Sequence, residues 1–202
     1  YYEIGFAIAA QKPFLPLVNY AVEKANANVG LLGIFDTVGQ IRYQNAEELA
    51  RLLEEEKTET WTNHYLHDKD HSQPLFILDT LPKIDFRNYI VQAVTNSSVK
   101  SRAFDPEETP RLSLPTALRD ISSSVGVILP LLSQEIVDWE KHNLRAAFLA
   151  GLSHGFGIET LIIQYEDKPA PLDYRDMMET TRTRREVQQC VEEYCQAVLV
   201  RN

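Results

Sequence analysis

Short apolar runs alternate with helical patterns along most of the chain, and this alternation constrains the fold more than any other feature. The runs that favour strands are residues 14–18, 31–35, 75–78, 101–104, 125–132 and 160–164. The stretches with helical periodicity are residues 46–56, 86–94, 114–123, 143–154 and 184–200. Such alternation predicts right-handed βαβ units. The predicted fold class is therefore α/β, a parallel sheet with helices on both faces.

Two segments of the chain, 146 residues apart, are similar to each other. EIGFAIAAQKPFLPL at 3–17 can be laid over LAGLSHGFGIETLII at 149–163, so that Gly5 meets Gly151. We therefore predict two related units. Residues 1–57 would be the C-terminal half of a first unit truncated at its N-terminus, 58–73 a polar connector, and 74–202 a complete second unit. The alternative is a chance similarity between two helix–strand units.

Composition argues against several classes of partner. The net charge of −9 disfavours binding to a phosphate backbone, so no nucleic acid is expected as a partner. The longest apolar runs fall far short of the roughly 20 residues that cross a bilayer, so no membrane partner is expected. Cys190 and Cys195 are the only cysteines and fit a reducing compartment as structural thiols. We expect a cytoplasmic protein.

The first residues place a glutamate at the start of a helix that carries small residues. Glu3 precedes Gly5 and three alanines, which leave one helix face without bulk. The strand that follows ends at Asn19, and α/β folds bind ligands at the carboxyl ends of parallel strands. The structural alternative is that Glu3 only complements the helix dipole.

This N-terminal motif resembles the nucleoside 2-deoxyribosyltransferase-like and TIR-like group of domains. The matching residues are Glu3, Ile4, Gly5, Phe6, Ala7, Lys12 and Pro13. The resemblance implies a flavodoxin-like (Rossmann-like) fold and cleavage or transfer at the N-glycosidic bond of a nucleoside or of NAD. Glu3 would be the catalytic residue, as nucleophile or as stabiliser of the charge at ribose C1′. Tyr2, Gly5 and Asn19 are the substrate-binding candidates beside it.

The second copy has Leu149 where the first has Glu3, so the second unit is expected to be catalytically degenerate. Asp79 and Asp105 follow predicted strands and are candidates for ligand contact, with helix capping and surface pairing as the alternative. Asn143, which lies near Glu140 and His142, is a further substrate-binding candidate. Its structural alternative is that Asn143 caps the helix that it opens.

Metal and cofactor motifs are weak. His64, His67 and His71 have helical metal-ligand spacing, but they lie in a polar connector without thiolates, so a solvated connector is favoured. The sequence has neither a Walker loop nor a G-x-G-x-x-G motif. We expect no metal site and no cofactor.

The leading hypothesis is an N-glycosidic activity of the first unit on a nucleoside or nucleotide small molecule, with the second unit supporting or regulating it. The alternative is a non-catalytic nucleotide sensor or assembly module, in which the amphipathic C-terminal helix either packs in the core or forms a homo-oligomer. A third possibility is an unrelated α/β domain.

Overall fold

The computed structural model describes residues 1–20, 22, 40–55, 66–81, 83–166 and 172–201. Its helices are α1 (Tyr2–Ala9), α2 (Ala46–Glu55), α3 (Asp85–Asn96), α4 (Leu114–Ser122), α5 (Trp139–Gly155) and α6 (Arg184–Arg201), with a 3-10 helix at Leu172–Met177. Its strands are β1 (Leu17–Asn19), β2 (Ile41–Tyr43), β3 (Leu75–Leu78), β4 (Ser101–Phe104), β5 (Gly126–Leu131), β6 (Glu159–Tyr165) and β7 (Met178–Thr181). The predicted strand at 31–35 and residues 58–65, half of the connector, lie outside the described residues.

Five strands form one parallel sheet in the order β4-β3-β5-β6-β7. This is the strand order of the flavodoxin-like doubly wound fold, so the predicted α/β class is confirmed. β1 and β2 form a separate two-stranded parallel sheet. The structure does not test the division of the chain into two related units, which stays a prediction.

The five-stranded sheet is covered on both faces. One hydrophobic cluster joins the sheet to α1, α4 and α5, and a second joins it to α3 and α6. Because both faces are covered, all six residues of β5 are buried, which explains its uninterrupted apolar sequence. Val187, Val191 and Val198 of α6 are buried in the second cluster, so this apolar helix face belongs to the core.

Local sequence signals set several of the boundaries. The Ser113 hydroxyl accepts a hydrogen bond from the Thr116 amide at 3.3 Å and caps α4, whose second residue is Pro115. α4 ends at Ser122, one residue before the predicted end of the helical stretch at 123.

Helix α1 crosses α5 through glycines that face each other's backbone. A Cβ atom at Gly5 would lie 2.2 Å from the Phe148 carbonyl oxygen, and one at Gly151 would lie 2.0 Å from the Tyr2 carbonyl oxygen. The contacts are reciprocal under the offset of the sequence similarity, because Tyr2 corresponds to Phe148 and Gly5 to Gly151. The small residues of the N-terminal motif therefore serve a close helix–helix approach.

The predicted start of α5 is wrong, and one strand of the five-stranded sheet was not predicted. α5 begins at Trp139, one turn before the predicted start, and Asp138 with φ of 62° precedes it; Asn143 therefore lies inside the helix and is not its N-cap. β7 was not predicted because its sequence, METT, is polar and buries only Thr181. Within the described ranges, no helix is long and apolar enough to cross a bilayer.

Candidate functional site

The strand order reverses direction between β3 and β5, and the carboxyl ends of these strands are where a doubly wound fold binds ligands. From β3 the chain passes through α3 to β4 on one side, whereas from β5 it passes through α5 to β6 on the other. β5 also runs past the last residue that pairs with β3, Ile128, so Pro130 pairs with β6 alone. Proline lacks an amide donor, and it is tolerated at this position because no residue of β3 pairs with it. The sheet therefore opens at this edge.

Asp79 and Asp105 meet at this edge, as their positions after two adjacent strands predict. Lys83 Nζ bridges them, at 3.1 Å from Asp79 and 2.9 Å from Asp105. Arg87 binds the Asp79 carboxylate with both Nε and Nη2, each at 2.8 Å, and the Thr80 amide donates to it at 2.7 Å. We call these four residues, Asp79, Lys83, Arg87 and Asp105, the strand-end ion cluster.

The protonation states of the cluster are fixed by its own contacts. Burial disfavours the Asp79 anion, but the hydrogen bonds from Arg87, Lys83 and Thr80 outweigh burial and lower the pKa of its carboxyl group. The pKa of Asp105 is likewise lowered, because the Lys83 contact outweighs partial burial. Both oxygens of the Asp79 carboxylate therefore accept hydrogen bonds within the protein. This is the pairing alternative that the sequence left open.

A cavity of about 310 Å³ lies beside the cluster. It is formed by the loops after β3 and β4 and by the first turns of α5. The lining residues are Leu81, Pro106, Glu107, Pro110, Asp138, Lys141, His142 and Arg145. Its volume is at the lower end of the roughly 300–1,000 Å³ that small-molecule sites occupy.

His142 presents a hydrogen-bond acceptor at this cavity. Its Nε2 donates to the Pro130 carbonyl at 2.7 Å, which leaves the lone pair on Nδ1. Burial lowers the pKa of His142 to about 4, so the ring is neutral at physiological pH. In the described part of the chain, Nδ1 has no hydrogen-bond partner, and it is not one of the fully buried polar atoms that lack a partner.

Arg145, one turn further along α5, is a cation that is 3% exposed. Its Nη2 donates to the Pro110 carbonyl, and its guanidinium lies 5.4 Å from the centroid of the Phe104 ring. Its Nε is buried without a hydrogen-bond partner, and no carboxylate of the described residues forms a salt bridge with it. Burial lowers the pKa of Arg145 from its ordinary value, but a guanidinium stays charged at neutral pH.

Asn143 holds the loop after β5 against α5. Its Oδ1 accepts from the Leu132 amide at 2.9 Å, and its Nδ2 donates to the Leu132 carbonyl at 2.8 Å. Both ends of its amide are therefore used on one backbone residue, and Asn143 is not among the residues that line the cavity. Glu140, in the first turn of α5, is exposed.

The N-terminal candidates lie elsewhere in the fold. The side chain of Glu3 is 71% exposed in the first turn of α1, and its carboxylate contacts the N-terminal ammonium at 3.4 Å. The Tyr2 hydroxyl lies 2.9 Å from His154 Nδ1 on α5, and Gly5 faces the α5 backbone. Asn19 ends β1 in the two-stranded sheet. The roles predicted for these four residues stay predictions.

Sequence reasoning missed Arg145 and Lys141. The signal was present, because Arg145 follows His142 by three residues directly before the apolar part of the helical stretch. Polar residues at this spacing share one helix face and must find buried partners or line a cavity.

A second cavity, of about 490 Å³, lies along β6, β7 and α6. Four glutamates line it, namely Glu159, Glu179, Glu186 and Glu193. Although larger, it lies away from the reversal of strand order and has no Lys or Arg among its described lining residues, so it is a poor match to an anionic ligand. Among the described residues, no group of three histidines, cysteines or acidic residues is placed to hold a metal ion.

No family model, curated protein or solved structure matches this chain. The resemblance to the deoxyribosyltransferase-like and TIR-like group is therefore a prediction from the sequence.

Proposed function

We propose that this protein binds a nucleoside- or nucleotide-type small molecule in the cavity at the carboxyl edge of the five-stranded sheet. The observation that carries the proposal is that His142 and Arg145 both line this cavity. His142 offers a fixed acceptor and Arg145 a fixed cation, and each has hydrogen-bonding capacity that the protein leaves unused. Convergent polar groups in a preformed apolar cavity are typical of ligand sites. The reversal of strand order is the position where doubly wound folds bind nucleotides.

A binding role fits this edge better than catalysis does. Asp79 is buried and held by three donors, so its carboxylate is not available as a nucleophile or base. Leu149, which corresponds to Glu3 in the repeat, is fully buried in the core. The unit is thus suited to sensing a ligand.

Isothermal titration calorimetry with adenosine, deoxyadenosine, their 5′-monophosphates and NAD tests this proposal. Leu81→Trp fills the cavity and should abolish binding, because Leu81 is part of its lining. Leu53→Trp is the matched control, since Leu53 is 44% exposed on α2 and outside the cavity. Binding that survives Leu81→Trp, or no binding of any probe at millimolar concentration, would refute the proposal.

The second candidate function is the N-glycosidic activity implied by the resemblance, with Glu3 as the catalytic residue. The observation that favours it is an accessible anion: Glu3 is exposed, and a hydrogen bond from its own backbone amide is the main cause that lowers its pKa. Release of base from NAD and from deoxynucleosides should then be lost in Glu3→Gln. Equal rates for the wild type and the variant, including zero, would exclude this activity.

The tandem arrangement and the cytoplasmic location belong to the proposal as well. The reciprocal contacts of Gly5 and Gly151 support an origin of α1 and α5 as equivalent helices of two related units. The two free thiols support a reducing compartment.

A further inference from the structure

Arg145 suggests which chemical class of ligand the cavity takes. A buried arginine is ordinarily paired with a carboxylate, because an isolated charge loses its hydration. Arg145 is 3% exposed, has only one hydrogen bond to the described chain, and lacks a salt bridge there. Its Nη1 also has no hydrogen-bond partner in the described residues. Unlike Nε, Nη1 is not fully buried. The fold therefore retains a cation with unused donors at the cavity wall.

The groups around Arg145 limit the charge of the ligand. Lys141 lines the same cavity, so the wall carries a second cation, and both residues lie in the first two turns of α5, where the helix dipole favours an anion. Glu107 and Asp138 also line the cavity and oppose a highly charged ligand. The balance suits a single phosphate monoester better than a di- or triphosphate.

His142 requires a hydrogen-bond donor on the ligand, whereas Arg145 requires an acceptor. Its Nδ1 lone pair accepts a hydrogen bond but donates none, because the ring proton is on Nε2 and bound to Pro130. The complementary ligand group is a hydroxyl or an N–H. A sugar phosphate carries both a hydroxyl donor and an anionic acceptor.

We propose that the cavity recognises a ligand with one phosphate monoester and at least one hydroxyl group, the phosphate bound by Arg145 with Lys141 and the hydroxyl by His142. This inference rests on the proposed function and narrows it from nucleosides in general to their monophosphates. Arginine suits the role because its planar fork binds phosphate oxygens through parallel hydrogen bonds.

Calorimetric titration of the full chain with adenosine, adenosine 5′-monophosphate and ribose 5-phosphate tests it. The monophosphate should bind the wild type roughly ten- to a hundredfold more tightly than adenosine, as expected for hydrogen bonds to a charged group. Ribose 5-phosphate separates the two sources of this chemistry. If ribose 5-phosphate binds as tightly as the nucleotide, the phosphate site is supported and the base makes no contact. If ribose 5-phosphate binds more weakly, the phosphate site is supported and the base contributes a contact.

Arg145→Met should remove the preference for the monophosphate over adenosine, because the phosphate loses its charged donor. Arg119→Met is the matched control, because Arg119 is an exposed arginine on α4 outside the cavity. If Arg145→Met fails to fold, Arg145→Lys and the wild-type comparison still decide the matter. Lysine keeps the charge without the fork and should retain only part of the preference.

Equal affinity of the wild type for adenosine and its monophosphate would overturn this inference while leaving the proposed function intact. A preference that persists in Arg145→Met would also overturn it. Failure of all three probes to bind would overturn both proposals together.

Discussion

At the scale of single residues, the site depends on the protonation of one buried imidazole. His142 is 4% exposed, and burial is the main cause that lowers its pKa to about 4. The nearby Arg145 adds to this effect, whereas the Pro130 carbonyl and the Asp79 charge partly oppose it. His142 therefore keeps its acceptor lone pair through the physiological range.

The same imidazole makes stability depend on pH in a defined window. Between pH 6.5 and about 4 the unfolded state binds a proton at His142 and the folded state does not. The free energy of unfolding should fall by up to roughly 3 kcal/mol as the pH drops through this window. Urea denaturation at pH 4.5 and 7 should show a smaller pH dependence for His142→Gln than for the wild type. An unchanged dependence would contradict the assigned burial.

The sequence identifies some site residues for a general reason and misses others for a specific one. Asp79 and Asp105 were found because residues after neighbouring parallel strands must meet at one edge of the sheet. Their mutual pairing through Lys83 could not be foreseen, since it depends on side-chain geometry. The hydrogen bonds from Asn143 to the Leu132 backbone were not predicted, because α5 begins at Trp139 after a left-handed residue, Asp138, and has no side-chain cap.

At the scale of elements, β3, β4, β5 and β6 were predicted to within one residue, whereas β1 begins three residues after its predicted start and β2 and β7 were not predicted. β3 and β4 have the predicted bounds. β3 is apolar and buried throughout, as in a sheet covered on both faces, whereas β4 at the edge of the sheet buries only Phe104. β2 has only three residues and β7 is polar, so neither produces a periodic signal. Tertiary pairing, rather than local sequence, determines them.

The crossing of α1 and α5 gives an element-scale prediction. Gly5→Ala and Gly151→Ala each place a methyl group against backbone of the opposite helix, which cannot yield as a side chain can. Each should destabilise the fold by roughly 1–3 kcal/mol. The double variant should cost less than the sum, because one displacement of the helices accommodates both methyl groups.

Thermal and urea denaturation of the two single variants and the double variant measure this coupling. Phe6→Ala is a control on the same helix, since the Phe6 side chain is 44% exposed. Glycine variants as stable as the wild type would show that the close approach of the helices does not matter for stability, and additive costs would show that the two sites do not share one displacement.

At the scale of the whole molecule, the two sheets differ in the extent of their strand pairing and burial. β5 has hydrogen-bonded neighbours on both sides and buries all six residues, whereas β1 and β2 pair three residues with each other. Hydrogen exchange followed by mass spectrometry should find slow exchange in β3, β5 and β6 and faster exchange in β1 and β2. Equal protection of β1 and β5 would mean that the two sheets open only together.

The central claim is that the ligand site of this chain lies at the carboxyl edge of the five-stranded sheet, and it is tested most directly by NMR mapping. Adenosine 5′-monophosphate would be titrated into isotope-labelled protein while backbone amide shifts are recorded. The account predicts the largest shifts at Leu81, Glu107, Lys141, His142 and Arg145, which line the cavity. Largest shifts around Glu3 and Asn19, or no shifts at millimolar ligand, would contradict it.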